Sequence, residues 1–166
     1  MKIPKNYIPE SLSKQDRQKQ IKNLIESQKN YKKGVYKTRP SLDSFNAKKS
    51  YHITNAKNTY NINSIKPSKE LAKKTGCTIQ TLNKIVEKGK GAYYSSGSRP
   101  NQTPESWAIA RLASAITAGK ASQIDYNLLK SGCNKNSTAL ILATRKRKQQ
   151  QQQSGKGFSP LSHLII

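Results

Sequence analysis

Positive charge is the feature that most constrains this chain. Its 166 residues include 31 Lys and Arg but only 8 Asp and Glu, so the formal net charge is +23 at pH 7. The charge is spread over nearly the whole length, and such a chain repels itself unless an anionic partner supplies countercharge. A merely solubilising surface needs a net charge of only about 2 to 8. The charge therefore predicts a nucleic acid or an acidic protein surface as the partner.

The apolar content is low for a protein that folds around one large core. Hydrophobic residues make up 33% of the chain, against roughly 45 to 50% in ordinary globular proteins. No segment is apolar enough to predict a membrane span or a secretory signal. We expect a mainly α protein, in which a small helical domain with a helix-turn-helix-like pair and two or three further helices is joined to an N-terminal helix and long extended basic arms.

Composition divides the chain into three predicted parts. Residues 1–66 form a basic N-terminal arm with one helix and an extended connector, residues 67–148 form the helical domain, and residues 149–166 form a polyglutamine run and an apolar C-terminal tail. Within the arm, residues 35–49 have no helical or strand period and predict a connector clamped by its side chains. Residues 51–60 predict a short polar helix.

Helix-capping residues mark most of the predicted helices. Ser13 with Asp16 starts the N-terminal helix, whose narrow face comprises Ile21, Leu24, Ile25 and Gln28. Thr103 followed by Pro104 starts the best-capped helix, which ends before Gly119. Ser122 and Asp125 form a capping box for another helix that runs through Lys130, and a last helix begins at about Ser137.

The middle of the chain predicts two short helices joined by a tight turn. Ser68 caps the first helix, Gly76 ends it, and Thr78 caps a second helix that ends at Gly89. Small and apolar residues fall where a helix-turn-helix needs them for close packing, namely Ala72, Gly76, Leu82 and Ile85. The same spacing also serves any tight helical corner that contacts no base, and that alternative stays open.

Binding of DNA by this pair would place the second helix in the major groove. The side chains that would then face the bases are Gln80, Thr81, Asn83 and Lys84, and those that would meet phosphates are Lys73, Lys74, Lys88 and Lys90. A predicted glycine-bearing loop carries Tyr93, Tyr94 and Arg99, which either bind unpaired bases and a phosphate or pack locally. The run Arg145, Lys146, Arg147 and Lys148 is either a localisation or phosphate-binding cluster or a solvated helix end.

Catalysis is not indicated. Four acids, Asp16, Glu70, Glu105 and Asp125, are assigned to helix N-termini, and the rest are dispersed among lysines. The sequence contains no catalytic triad, phosphate-cradling loop or zinc motif, so we expect no enzyme activity, no cofactor and no small-molecule substrate. Cys77 and Cys133 each follow a helix-ending glycine, which predicts small buried residues in a reducing compartment.

Three strings resemble an uncharacterised family of small basic proteins of large eukaryotic double-stranded DNA viruses, the giant viruses. They are YIPESLSKQDRQKQIKN, KPSKELAKKTGC and GKGAYYSSGSRPNQTPESWAIARLAS, and the resemblance covers roughly residues 7–142. It implies a location in the virion, and in the host cytoplasm or nucleus during assembly. The polyglutamine run and the apolar terminus lie outside the shared region.

Two functions remain as expectations. The first is a structural virion protein, a minor capsid or internal component whose extended basic segments bridge larger capsid or virion proteins. The second is a DNA-binding or genome-packaging protein that uses the helix-turn-helix-like region without sequence specificity. The first is preferred because weakly periodic stretches rich in Pro, Tyr and Lys are typical of arms that become ordered against partners.

Overall fold

The computed structural model describes residues 2–156, which are mainly helical, as predicted. A short 3-10 turn at Lys5–Tyr7 precedes eight helices of this part of the chain: α1 (Lys14–Lys32), α2 (Tyr51–Tyr60), α3 (Lys69–Thr75), α4 (Ile79–Ser95), α5 (Pro104–Ala115), α6 (Ala121–Ile124), α7 (Tyr126–Gly132) and α8 (Thr138–Lys156). α8 contains the basic run and the glutamines. The predicted apolar C-terminal tail lies outside the described residues.

Four helices, α1, α3, α4 and α5, begin at the predicted caps. The side chains of Ser13, Ser68, Thr78 and Thr103 each accept a hydrogen bond from the backbone N–H three residues later. These N–H groups have no partner inside their helices, so each cap satisfies a donor that would otherwise be unpaired. The short helix predicted at residues 51–60 is confirmed as α2.

The core forms where α4 crosses α5, and it also includes residues of α2 and of the segment between α2 and α3. Its fully buried side chains include Leu71, Leu82, Ile85, Leu112, Ile116 and Leu129. Tyr60, at the end of α2, donates its hydroxyl to the carbonyl oxygen of Ile116, and burial raises the pKa of this tyrosine. Side chains from both sides of position 66 therefore share one core.

The prediction that α4 ends at Gly89 is wrong. The helix continues through Gly89 and Gly91 to Ser95, so the first half of the predicted glycine-bearing loop is helical. Gly89 serves packing instead of termination, because a Cβ atom there would lie only 2.7 Å from Ala108 Cα of α5. The missing side chain lets the two helix backbones approach closely.

Alanine at Gly89 and at Gly91 is expected to change stability in opposite directions. Gly89→Ala forces the α4 and α5 backbones apart and is expected to lower the free energy of unfolding by about 1 to 3 kcal/mol. Gly91 lies in the same helix with nothing within 4 Å of a Cβ atom, so Gly91→Ala is expected to raise it by roughly 0.5 to 1 kcal/mol. Urea unfolding measures both, and equal shifts would contradict the close crossing.

The face that α1 buries shares only Leu24 with the predicted one. Asp16, Gln20, Leu24 and Ser27 are buried, whereas the predicted Ile25 is 37% exposed. The polar side chains on this face are tolerated because they find partners: Gln20 Nε2 donates to the Tyr7 carbonyl at 3.0 Å. Asp16 accepts from both the backbone N–H and the hydroxyl of Ser44, at 2.9 Å and 2.6 Å, and these bonds hold the pKa of Asp16 below its usual value.

The connector is extended and clamped by side chains, as predicted. Residues 35–50 contain no helix or strand, yet Leu42 is only 4% exposed. The Asn101 side chain accepts from the Leu42 N–H at 2.6 Å and donates to the carbonyls of Leu42 and Phe45. These bonds hold the connector against the turn that precedes α5.

The prediction that Asp125 and Ser122 cap one helix is wrong. Two helices, α6 and α7, occupy this stretch, and Asp125 lies at their junction without a capping bond from its side chain. Its buried carboxylate accepts hydrogen bonds at 2.9 Å and 2.7 Å from the Arg111 guanidinium and lies 3.0 Å from Lys88 Nζ. Asp125 therefore joins α4, α5 and the α6–α7 junction.

Cys77 and Cys133 form a disulfide, which the sequence did not predict. The pair lies where the turn after α3 meets the end of α7, and the residues also form an isolated antiparallel bridge. Residues 2–156 contain no free cysteine. Because the expectation of a reducing compartment rested on free thiols, the bonded pair removes its basis.

Two kinds of feature are absent from residues 2–156. None of their helices combines the length and the apolar character needed to cross a bilayer. No group of three or more His, Cys, Asp or Glu side chains among them is arranged to hold a metal ion.

Candidate nucleic-acid interface

One side of α4 is an uncovered row of polar side chains. Gln80, Asn83, Lys84 and Glu87 follow the i, i+3, i+4, i+7 spacing that places residues on one side of a helix, and all four are exposed. The opposite side of α4 is buried against α5. The start of this row is the part of the second helix that a helix-turn-helix presents to the major groove.

The turn between α3 and α4 packs against the turn between α7 and α8 and is hydrogen-bonded to it. Gly76 ends α3 in the left-handed conformation, with φ +77°, and a Cβ atom there would lie 2.5 Å from Ser137 Cβ. The Thr78 N–H donates to the Gly132 carbonyl and the Asn134 N–H donates to the Gly76 carbonyl, both at 2.9 Å. The angle between the two helices is therefore fixed by tertiary contacts.

Thr81 does not belong to the exposed row, which corrects the predicted base contact. It is 5% exposed, and it packs so closely on Gly132 that a Cβ atom at that glycine would overlap its hydroxyl. Its hydroxyl accepts a hydrogen bond from the Thr78 hydroxyl at 2.9 Å. A buried side chain of this kind positions α4 and cannot contact a base.

Some of the lysines predicted to meet phosphates already have a hydrogen-bond or ion-pair partner, and others do not. Lys74 Nζ donates a hydrogen bond at 2.5 Å to the Asn61 carbonyl, directly after α2. Lys88 forms an ion pair with Asp125, and Lys90 Nζ lies 3.7 Å from the Glu87 carboxylate of the same helix. Lys73 has no hydrogen bond or ion pair to any described residue, and the same holds for Lys84 in the exposed row.

The tyrosines predicted in a loop lie in the last turns of α4. Tyr93 is fully buried, and its hydroxyl donates to the Gln102 carbonyl at 3.2 Å, so stacking of a base on Tyr93 is excluded. Tyr93 instead packs beneath the connector, where Arg39 contacts its ring and its hydroxyl. Tyr94 is half-buried and Arg99 is exposed in the following turn, and both remain accessible.

Arg39 is the residue that sequence reasoning missed. Its backbone N–H donates to the Tyr93 hydroxyl at 2.8 Å, and its guanidinium lies 3.7 Å from the centroid of the same ring. The guanidinium also donates to Ser27 Oγ, the Tyr93 carbonyl and Ser98 Oγ at 2.8 to 2.9 Å. Burial lowers the pKa of Arg39, and no carboxylate among the described residues pairs with it.

The basic run lies on α8, on the part of the helix beyond its buried first turns. Arg145 and Lys148 are exposed and Lys146 is half-buried. The Arg147 guanidinium lies 4.3 Å from the centroid of the Tyr126 ring, so part of its surface is covered by α7. Among the described residues, no ion pair joins this run to the exposed row of α4.

A protein-family model matches residues 4–138 of the chain. The chain belongs to DUF5824. This is described as a family of unknown function, and the match contains the exposed row of α4, the connector and the disulfide. The DUF5824 match ends before the basic run of α8. No curated protein and no solved structure matches the chain, and the resemblance to giant-virus proteins stays a prediction.

Proposed function

We propose that this DUF5824 protein binds double-stranded DNA with little sequence discrimination, through the exposed row of α4 and the neighbouring end of α3. The observation that carries the proposal is the uncovered set Gln80, Asn83 and Lys84, which lies on the outer side of a helix fixed by a tight turn. A chain of net charge +23 gains affinity for any duplex by releasing counterions.

Low discrimination follows from how few groups the row offers. Specific readout needs several side chains that hydrogen-bond base edges in a fixed geometry. With Thr81 buried, the amides of Gln80 and Asn83 are the remaining neutral groups of the predicted set. The ammonium groups of Lys73 and Lys84 favour phosphate contacts, which carry no sequence information.

The predicted virion role is the second candidate, because one argument for it does not apply to the connector. It rested on basic arms that become ordered only against larger partners. The connector instead lies against the helices of its own chain through Leu42 and Arg39. A structural role in a virion stays a prediction, and the exposed Lys73 and Lys84 beside the α3–α4 turn support the nucleic acid instead.

Removing the ammonium groups of Lys73 and Lys84 is expected to weaken duplex binding in a salt-dependent way. A Lys73→Ala, Lys84→Ala double variant should bind random duplex DNA less tightly at low salt. The slope of log affinity against log salt concentration should fall in magnitude by about 0.9 for each phosphate that no longer has an ammonium partner. Fluorescence anisotropy between about 50 and about 200 mM salt measures both quantities.

Lys22→Ala is the matched control for this experiment. Lys22 is an exposed lysine of α1, a helix that packs at the opposite end of α4, where Ser27 contacts the Tyr94 carbonyl. We expect the control to keep the parental slope. Negligible affinity of the parent protein at low salt, or equal slope changes in the control and the double variant, would contradict the proposal.

A further inference from the structure

Three tyrosines form a continuous row on the surface at the far end of α4. The ring centroids of Tyr31 and Tyr36 are 5.7 Å apart, and those of Tyr36 and Tyr94 are 5.2 Å apart. Tyr36 is 59% exposed and Tyr31 is 37% exposed. We call these three residues the tyrosine row, and its exposure matters because large aromatic rings are normally buried or used in recognition.

The end of α1 creates the first half of the tyrosine row. Gly34 takes the left-handed conformation, with φ +74°, its N–H donates to the Tyr31 carbonyl, and the Val35 N–H donates to the Asn30 carbonyl. These bonds turn the chain back on itself, as a glycine at a helix C-terminus commonly does. Tyr36 is thereby placed beside Tyr31.

Arg39 fixes the second half of the row. It follows Tyr36 by three positions and is held by its bonds to Ser27, Tyr93 and Ser98. This anchor leaves little freedom for the short segment that carries Tyr36, whose ring rests against Tyr94. A ligand that stacks on Tyr36 would therefore meet a preorganised ring, which lowers the entropic cost of binding.

The surroundings of the tyrosine row are positively charged. Lys32, Lys33 and Lys37 are exposed on the same turn and connector, and none of them forms an ion pair with a described residue. Burial and the negative charge of Glu105 raise the pKa of Tyr94. The row thus combines aromatic faces with a surplus of ammonium groups.

We infer that the tyrosine row is a binding site for single-stranded nucleic acid. Unpaired bases stack on the rings, with the exposed face of Tyr36 as the main contact, and Lys32, Lys33 and Lys37 meet the phosphates. A nucleic acid strand accounts for both features, because its bases stack on the rings and its phosphates pair with the lysines. An apolar peptide would leave the lysines without a partner, and an acidic peptide would leave the rings without one. Base stacking tolerates any sequence because every base has a π face.

This site is separate from the duplex-binding face and does not rest on it. Asn83 and Tyr94 lie on the same helix, about 16 Å apart along its axis at the usual rise per residue. The two surfaces can therefore be changed independently. A protein with both would bind the paired and the unpaired parts of a partly opened nucleic acid.

Substitution of Tyr36 tests the inference with a fluorescein-labelled oligothymidylate as the probe. Tyr36→Ala is expected to weaken binding about tenfold, at each salt concentration, because the stacking surface is removed. The salt slope should stay unchanged in this variant. A Lys32→Ala, Lys33→Ala double variant should instead reduce the slope by about 0.7 for each phosphate that no longer has an ammonium partner.

Two further Tyr36 variants and one distant variant serve as controls. Tyr36→Phe keeps the ring and is expected to keep the parental affinity, whereas Tyr36→Leu keeps apolar bulk without an aromatic face and is expected to lose it. Tyr51 of α2 is 74% exposed, so Tyr51→Ala removes an even more accessible tyrosine elsewhere and should leave binding unchanged. Circular dichroism and thermal melting verify that each variant keeps the parental fold.

The inference is overturned if Tyr36→Ala is folded and binds oligothymidylate as tightly as the parent or as Tyr51→Ala. It is also overturned if Tyr36→Leu binds as tightly as Tyr36→Phe, because burial of an apolar side chain, and not stacking on an aromatic ring, would then account for the affinity. The Lys73→Ala, Lys84→Ala variant should lose duplex affinity and keep its affinity for oligothymidylate. If the parent protein binds oligothymidylate but not duplex DNA, the proposed function is contradicted and the single-strand site is not.

Discussion

An Asp125→Asn variant is expected to unfold with a free energy about 3 to 5 kcal/mol below that of the parent protein. The Asp125 side chain is 0% exposed and that of Arg111 is 16% exposed. Removing the negative charge leaves the guanidinium in a largely dry site without its partner, and it places an amide group against other donors. Urea unfolding followed by circular dichroism measures the loss.

Two further variants test this explanation of the Asp125 effect. Lys88 is 50% exposed, so its ammonium group is already largely hydrated, and without it Asp125 keeps both hydrogen bonds from Arg111. Lys88→Ala is therefore expected to cost less than about 1 kcal/mol. An Asp125→Leu, Arg111→Met double variant removes both buried charges and should recover most of the stability. A loss below about 1 kcal/mol for Asp125→Asn would contradict the buried pairing.

The features that the sequence predicted correctly are local ones. Helix starts at Ser13, Ser68 and Thr103 depend on residues three positions apart, and such spacing is visible in a single sequence. Gly89 has the same local signature as a helix-ending glycine, yet its role depends on Ala108 in another helix. Nothing within α4 distinguishes a glycine that ends a helix from one that permits a close crossing.

The candidate site shows the same division between local and distant causes. Helical spacing places Gln80, Asn83 and Lys84 on one side of α4, and the structure leaves that side uncovered. Thr81 was misassigned because its burial depends on Gly132, far along the chain. Arg39 is one of many basic residues of the chain, and no sequence signal separates its half-buried guanidinium from the solvated ones.

Loss of the disulfide is expected to lower the free energy of unfolding by about 4 kcal/mol, through the greater freedom of the unfolded chain. The bond joins Cys77 to Cys133 across a sequence separation of 56 residues, and the entropic gain of a cross-link grows with the loop that it closes. A Cys77→Ser, Cys133→Ser double variant, or the parent protein under reductant, provides the comparison. Thiol titration should detect free thiols in the parent only after reduction.

The double serine variant should nevertheless keep the native fold. The backbone bonds from Thr78 to Gly132 and from Asn134 to Gly76, both 2.9 Å, flank the cysteines and do not require the sulfur bond. We therefore expect unchanged circular dichroism and unchanged duplex affinity at temperatures well below the transition, and no effect of reductant on the variant. If the bond acts on the unfolded chain, core amides that exchange by global unfolding should all exchange faster by the same factor. Faster hydrogen exchange confined to the Thr78 and Asn134 amides would show instead that the disulfide holds the α3–α4 turn in place, against the entropic account.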